Sequence, residues 1–156
     1  MKQEQKKKTN AFENAVQATS DISTAYRKGL QALRRADLAK IKPGDSRKID
    51  GSVDIDDAVK ALYPDANRWD YVFGYDSKVC FVEVHPAYTS EIDTVIKKFQ
   101  WLTSWLKDKA SKLDDLPKMT PAFVWVQSGK CAILPTSNQA KKLASIGLPK
   151  PVLQLQ

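Results

Sequence analysis

Apolar residues near the start of the chain recur at steps of three and four, the spacing that gathers side chains on one face of an α-helix. This pattern predicts a helix over residues 9–40. Asn10 and Glu13 have the spacing of a capping box at its start, and Gly29 predicts a bend or break within it. The buried face of this helix is predicted to contain Phe12, Val16, Thr19, Ile22, Tyr26, Leu30 and Leu33.

The next part of the chain loses this periodicity. Residues 41–52 contain few apolar side chains and include Pro43 and Gly44, which predicts a surface loop that connects elements of one domain. A short helix is predicted over residues 53–62, opened by Asp56.

Two short segments rich in aromatic and β-branched residues follow, over 69–75 and 79–84. Asp76 and Ser77 separate them, so the pair predicts a β-hairpin with a two-residue turn.

The second half of the chain returns to helical spacing. Ser90 and Asp93 are predicted to open a long helix that ends before Pro117. Two short strands are then predicted over 122–127 and 131–134, and a last helix over 136–146 that Gly147 terminates. The buried stripe of the long helix is predicted to contain Ile92, Val95, Ile96, Phe99, Leu102 and Leu106.

These elements predict an α/β fold in which helices flank a mixed β-sheet, in the order α-β-β-α-β-β-α. The length of 156 residues and the apolar content of 42% fit one domain with an ordinary core, predicted over residues 9–148. Residues 1–8 are predicted to be a disordered basic tail, and residues 149–156 an irregular C-terminal tail.

The apolar runs are far shorter than the roughly 20 residues of a membrane helix, and no apolar segment of a secretory signal follows the first lysines. We therefore expect no membrane contact and a cytoplasmic location. Cys80 and Cys131 lie in apolar segments and are predicted to be buried, reduced thiols. With His85 as the lone histidine, zinc fingers and multi-histidine metal sites are excluded.

Positive charge is concentrated in the first third of the chain. Up to Lys48 there are 12 basic and 5 acidic residues, whereas the rest of the chain has 13 of each, so the net charge of +7 belongs to the N-terminal part. Such a segment favours contact with the phosphates of a nucleic acid. A solvated helix face with a basic tail explains the same charge, and both interpretations stay open.

The predicted hairpin brings acidic side chains together. With Asp76 and Ser77 as the turn, Asp70 lies directly opposite Glu83, and Glu83 shares a face of its strand with His85. Like charges opposite each other destabilise a hairpin, so the pair of carboxylates is expected to hold a cation. Carboxylate oxygens suit Mg²⁺ or Mn²⁺.

The segments RWDYVFGY (68–75) and VCFVEVH (79–85) resemble the core of the PD-(D/E)XK nuclease-like superfamily. That family has an aspartate at the start of one strand and an acidic-X-Lys triplet on the next, with a helix before and a long helix after. The resemblance implies a restriction-endonuclease-like core and hydrolysis of phosphodiesters in DNA or RNA. It implies that Asp70, Glu83 and the Val84 carbonyl bind Mg²⁺ or Mn²⁺.

The chain departs from the family pattern at one position, where His85 stands in place of the lysine of the triplet. An imidazole beside two carboxylates is expected to have a raised pKa. Lys98 on the following helix is a candidate replacement for the lysine, and Gln100 is a weaker one. Glu13 corresponds to an acidic residue on the N-terminal helix of the family.

Three functions remain open at this stage. The first is a metal-dependent nuclease that uses Asp70, Glu83 and His85. The second is a catalytically inactive protein of the same fold that binds nucleic acid or a protein partner. The third is a structural or interaction protein, as a homo-oligomer, that uses the surface around Trp101 and Trp105, although the core is the better interpretation of those two rings.

Overall fold

Four β-strands pair in chain order to form one mixed sheet in the computed structural model, which describes residues 9–155. The first and second strands pair antiparallel, as do the second and third, and the fourth runs parallel to the third. The strands are β1 (Ile49–Asp54), β2 (Tyr71–Tyr75), β3 (Lys78–Tyr88) and β4 (Lys118–Ala132). The predicted α/β class with a mixed sheet is therefore confirmed.

Helices lie before, between and after these strands. The longest, α4, connects β3 to β4, as a parallel pair requires a crossover. The helices are α1 (Ala11–Gln17), α2 (Arg35–Leu38), α3 (Ile55–Val59), α4 (Ile92–Lys109), α5 (Ser111–Asp114) and α6 (Asn138–Ser145). None of the described helices is long and apolar enough to cross a membrane.

The sheet separates two hydrophobic clusters, because successive side chains of a strand point to opposite faces. Val79 and Phe81 of β3 pack on the larger cluster together with α1 and α4, whereas Cys80 and Val82 pack on the smaller one. The buried stripe of α4 is confirmed, except that Phe99 is half-buried and Trp105 joins the stripe.

The predicted hairpin is confirmed in its register. Tyr75 pairs with Lys78, and Tyr71 pairs with Val82. Asp76 and Ser77 have φ angles of 50° and 63°, the left-handed conformation that matches a tight turn to the twist of its strands.

The prediction of one long helix over residues 9–40 is wrong. Helix α1 ends at Gln17, and a 3₁₀ turn, loops and the short α2 occupy most of the remaining predicted range. Phe12 and Ile22 pack on the larger cluster, but Leu33 packs on the smaller one. A straight helix with one apolar face cannot reach both sides of the sheet, so the chain leaves the helix and passes around the edge strand β1.

The predicted loop over 41–52 and the helix start at 53 are also wrong. Residues 49–54 form the edge strand β1, and α3 begins at Ile55 with Asp54, not Asp56, as its N-cap. Few β-forming residues mark this strand in the sequence. It exists because β2 pairs with it on one side and Arg27 forms a bridge to Ser52 on the other.

The two strands predicted over 122–134 form one strand, so the predicted element order is corrected to one strand before the hairpin and one after α4. A register shift between His85 and Ala87 accommodates Ser128, Gly129 and Lys130 within β4. Cys131 is exposed on this strand, which corrects its predicted burial, whereas Cys80 is buried as predicted.

The final helix is confirmed as α6, and Gly147 follows it with a φ of 79°. Beyond it, residues 149–155 form isolated bridges rather than a regular strand. The predicted basic tail over 1–8 lies outside the described residues.

Candidate functional site

Asp70 and Glu83 lie side by side at the end of the hairpin, as the two-residue turn predicts. The backbone N–H of Asp70 donates to Glu83 Oε1 at 3.1 Å. The backbone N–H of Val84 donates to Asp70 Oδ2 at 3.0 Å. These two hydrogen bonds continue the pairing of β2 and β3 beyond the last pair, Tyr71 and Val82. They fix both acidic side chains at this end of the hairpin.

Lys98 is the cation beside these carboxylates. Its Nζ lies 2.5 Å from Glu83 Oε2 and 3.9 Å from Asp70 Oδ1. Only 17% of its side chain is exposed. Burial acts to lower the pKa of Lys98, but the charges of Glu83 and Asp70 outweigh it and raise the pKa, so the side chain stays protonated.

Glu83 is fully buried, and both of its carboxylate oxygens have partners. Oε1 accepts from the Asp70 backbone, and Oε2 faces both Lys98 Nζ and, at 3.4 Å, His85 Nδ1. A buried carboxylate without such partners is very costly. Lys98 and His85 therefore make the burial of Glu83 tolerable.

Asp70 has a strongly raised pKa. Burial, followed by repulsion from Glu83, raises the pKa of Asp70 to about 7, although Lys98 and the Val84 N–H act in the opposite direction. Its Oδ1 accepts no hydrogen bond from the described residues, and Lys98 Nζ faces it at 3.9 Å. Asp70 thus offers one oxygen that a further cation can approach.

His85 links Glu83 to a second carboxylate. Its Nε2 lies 2.8 Å from Glu91 Oε2, while Nδ1 faces Glu83. The hydrogen bond to Glu83, helped by the one to Glu91, raises the pKa of His85, as the sequence predicted. Glu91 was not predicted as a site residue. It lies in a 3₁₀ turn (Thr89–Glu91) after β3, and the one signal for it in the sequence is its place six residues beyond His85.

A second ionic group, around Asp56, adjoins Asp70. The first N–H groups of α3, from Ile55 and Asp56, donate to the Asp70 carbonyl at 2.8 and 3.4 Å. Asp56 accepts from Arg68 Nε at 2.8 Å and faces Arg34 Nη2 at 3.8 Å. Arg68 therefore pairs with Asp56 and not with its sequence neighbour Asp70. The sequence contained no signal for this contact between β1, α3 and the hairpin.

Two candidate residues lie apart from this site. Glu13 lies in α1, where its backbone N–H donates to the Asn10 side chain, which acts as the helix N-cap. The neighbouring Phe12 packs on Gly74, at the opposite end of β2 from Asp70. Gln100 is exposed on α4 and makes no side-chain hydrogen bond to the described site residues. The structure therefore gathers Asp70, Glu83, Val84, His85 and Lys98 but neither Glu13 nor Gln100.

Within residues 9–155, no group of three or more His, Cys, Asp or Glu side chains is arranged to hold a metal ion. Comparisons with protein-family models, with curated proteins and with solved structures gave no match for this chain. Its function is therefore inferred from the residues of the site and their geometry.

Proposed function

We propose that this protein is a divalent-metal-dependent nuclease of the PD-(D/E)XK type, which hydrolyses phosphodiesters in DNA or RNA. One observation carries the proposal. Lys98 Nζ lies within 2.5 Å of Glu83 and 3.9 Å of Asp70, so two acidic residues and one lysine meet although they come from three different elements. Lys98 takes the role of the lysine that the family places where this chain has His85.

The arrangement of the elements supports the same proposal. Asp70 immediately precedes β2, Glu83 lies on the next strand of the hairpin, and the long helix α4 follows. This is the order that the resemblance to the family implies, with a restriction-endonuclease-like core. Lys98 reaches the acidic pair because its position on α4 faces the sheet, whereas the adjacent Lys97 is exposed.

The acidic pair has the chemistry of an Mg²⁺ or Mn²⁺ site. Two adjacent buried carboxylates repel each other, and the raised pKa of Asp70 reflects this repulsion after the effect of burial. Asp70 and Glu83, with the Val84 carbonyl, would hold the ion through the oxygen ligands it prefers. A bound ion would supply Lewis-acid chemistry, lowering the pKa of a water molecule and neutralising phosphate charge.

The other residues of the site position charge around this pair. Lys98 contributes a buried positive charge that can hold a substrate phosphate or orient the attacking water. His85 has a raised pKa and carboxylate oxygens facing both of its ring nitrogens, so its protonated form adds a second positive charge beside Glu83. Glu91 keeps the imidazole in this orientation.

A catalytically inactive protein of the same fold is the second candidate, and the burial of Glu83 favours it. Both oxygens of Glu83 are occupied, so a metal ion must displace Lys98 from Oε2 to bind there. In a catalytically inactive protein, the ionic group of Asp70, Glu83 and Lys98 stabilises the fold and binds no metal ion. The basic N-terminal third then binds nucleic acid through phosphates in a salt-sensitive way, or the fold binds a protein partner.

Cleavage assays test the proposal. Plasmid, single-stranded DNA and structured RNA are incubated with Mg²⁺ or Mn²⁺ and the wild type, Glu83→Gln, Lys98→Met or Lys97→Met. We expect cleavage to fall by about a hundredfold or more in Glu83→Gln and Lys98→Met, because each removes charge from the reacting centre. Lys97→Met changes an exposed lysine on the same helix and should cleave like the wild type.

Two other outcomes of the cleavage assay would count against the proposal. Cleavage that survives Glu83→Gln, or that persists in a chelator, identifies a contaminant and contradicts the proposal. Salt-sensitive binding of nucleic acid without cleavage by the wild type favours the inactive protein.

A further inference from the structure

Aromatic side chains line a shallow cleft beside the ionic site. The ring of Trp101 stacks on Trp105 with centroids 5.6 Å apart, and the rings of Tyr63 and Trp101 lie 5.7 Å apart at an interplanar angle of 70°. The cleft has a volume of about 160 Å³. Its lining consists of Tyr63, Trp101, Ser104, Trp105, Asp108 and Lys109.

Helix α4 contributes both to the cleft and to the ionic site. Trp101 lies three residues after Lys98, which is less than one turn of α4. On the other wall, Arg68 Nη1 donates to the Tyr63 carbonyl at 2.7 Å, and Arg68 Nε pairs with Asp56 beside Asp70. A group that lies against Trp101 is therefore a neighbour of whatever lies at Lys98.

The polar groups of two of these rings already share one half-buried hydrogen-bond partner. Asp21 Oδ2 accepts from the Tyr63 hydroxyl at 2.7 Å and from Trp105 Nε1 at 3.0 Å. Burial and this carboxylate raise the pKa of Tyr63 to about 12, so the hydroxyl stays a donor. The rings are fixed before any ligand binds, which lowers the entropic cost of binding.

Trp101 differs from the tryptophans that serve the core alone. Trp69 and Trp125 are fully buried and Trp105 is nearly so, whereas Trp101 is half-buried. A half-buried indole in a prearranged aromatic wall is a surface for stacking a planar ring. Ser104 and Asp108 place hydrogen-bonding groups at the same cleft, and Lys109 places a positive charge there.

We infer that this cleft binds one unpaired nucleobase of the substrate, next to the phosphate held at Lys98. The inference rests on the proposed function and names its substrate class: single-stranded DNA or RNA, or an unpaired segment of a duplex. A base inside a duplex has both faces covered by the adjacent base pairs. It can therefore stack on Trp101 only after it has left the duplex.

Binding without metal tests this inference separately from cleavage. The full chain is titrated, in a chelator, with labelled oligothymidylate or oligouridylate of about ten nucleotides and with a matched duplex. The variants are Trp101→Leu, which keeps an apolar side chain, and Trp101→Phe, which keeps an aromatic face. Thermal unfolding of each variant verifies that the fold is intact.

We expect the wild type to prefer single strands and Trp101→Leu to bind them about tenfold more weakly, while Trp101→Phe recovers most of the affinity. Binding of the duplex should not change between variants.

Equal affinity of the wild type, Trp101→Leu and Trp101→Phe for single strands would overturn the inference, as would a preference for the duplex. The proposed function fails in a different way, when Glu83→Gln leaves cleavage unchanged. A protein that cleaves through Glu83 but is indifferent to Trp101 keeps the proposed function and loses this inference.

Discussion

Lys97 and Lys98 are neighbours on α4 with opposite environments. Lys98 is buried against Glu83 and Asp70, whereas Lys97 is exposed. Removing one partner of a buried ion pair leaves an uncompensated charge. We therefore expect Lys98→Met to lower the free energy of unfolding at pH 8 by about 3 kcal/mol or more. Lys97→Met should change it by less than about 0.5 kcal/mol in the same urea titration.

The raised pKa of Asp70 predicts how the free energy of unfolding depends on pH. Its folded pKa, about 7, lies above the ordinary value of 3.8, so the folded state binds more protons than the unfolded state between those values. Its contribution to stability is complete below pH 4 and is lost as the pH rises through 7. Asp70→Asn removes this loss. We therefore compare the free energies of unfolding of Asp70→Asn and the wild type, by urea titration at pH 4 and at pH 8. From pH 4 to pH 8 the difference should shift in favour of the variant by about 2 to 4 kcal/mol.

At the residue scale, the sequence predicts the acidic pair well because it depends on local geometry. A two-residue turn fixes the register, and the register places Asp70 beside Glu83. Glu91 lies in a 3₁₀ turn and Asp56 in α3, and the position of each relative to this pair depends on packing elsewhere. No pattern of neighbouring residues specifies those two contacts.

At the element scale, β1 shows how tertiary contacts create a strand. Gly51 has a φ of 146°, and a Cβ placed there would lie 2.2 Å from the Tyr26 ring. Tyr26 uses this close approach to donate its hydroxyl to the Asp50 carbonyl at 2.7 Å. The edge strand and the segment that crosses it are therefore held together at one glycine.

Gly51→Ala should lower the free energy of unfolding by about 2 to 4 kcal/mol, because the ring must move and the backbone conformation is unfavourable for alanine. Gly129→Ala is the matched control, since nothing lies within 4 Å of a Cβ at that position. The control should change stability by less than about 1 kcal/mol in the same thermal or urea unfolding. Equal effects of the two changes would contradict the role given to Gly51.

At the scale of the whole molecule, the C-terminal segment closes the open edge of the sheet. The Val152 N–H donates to the Trp125 carbonyl at 2.9 Å, and the Gln127 N–H donates to the Val152 carbonyl at 2.8 Å. Leu155 makes the same kind of exchange with Lys40 and Lys42, at 2.9 and 2.8 Å. This segment covers the backbone of β4, which otherwise offers an unpaired edge to other chains.

Hydrogen exchange measured by NMR tests this role. We expect slow exchange of the four donating amides, which are Lys42, Gln127, Val152 and Leu155. The amides of Leu153 and Gln154 donate to no backbone carbonyl of the described residues and should exchange quickly. Fast exchange of all six amides would show that the segment does not remain on the sheet.

The sequence by itself determined the hairpin, its turn, the long helix α4 and the adjacency of Asp70 and Glu83. Each of these depends on residues that are close along the chain, where periodicity and turn chemistry act. Only the tertiary structure decided that α1 is short, that residues 49–54 form a strand and that Lys98 Nζ lies against the acidic pair. These features depend on which distant segments pack together, and burial of charge is decided by that packing.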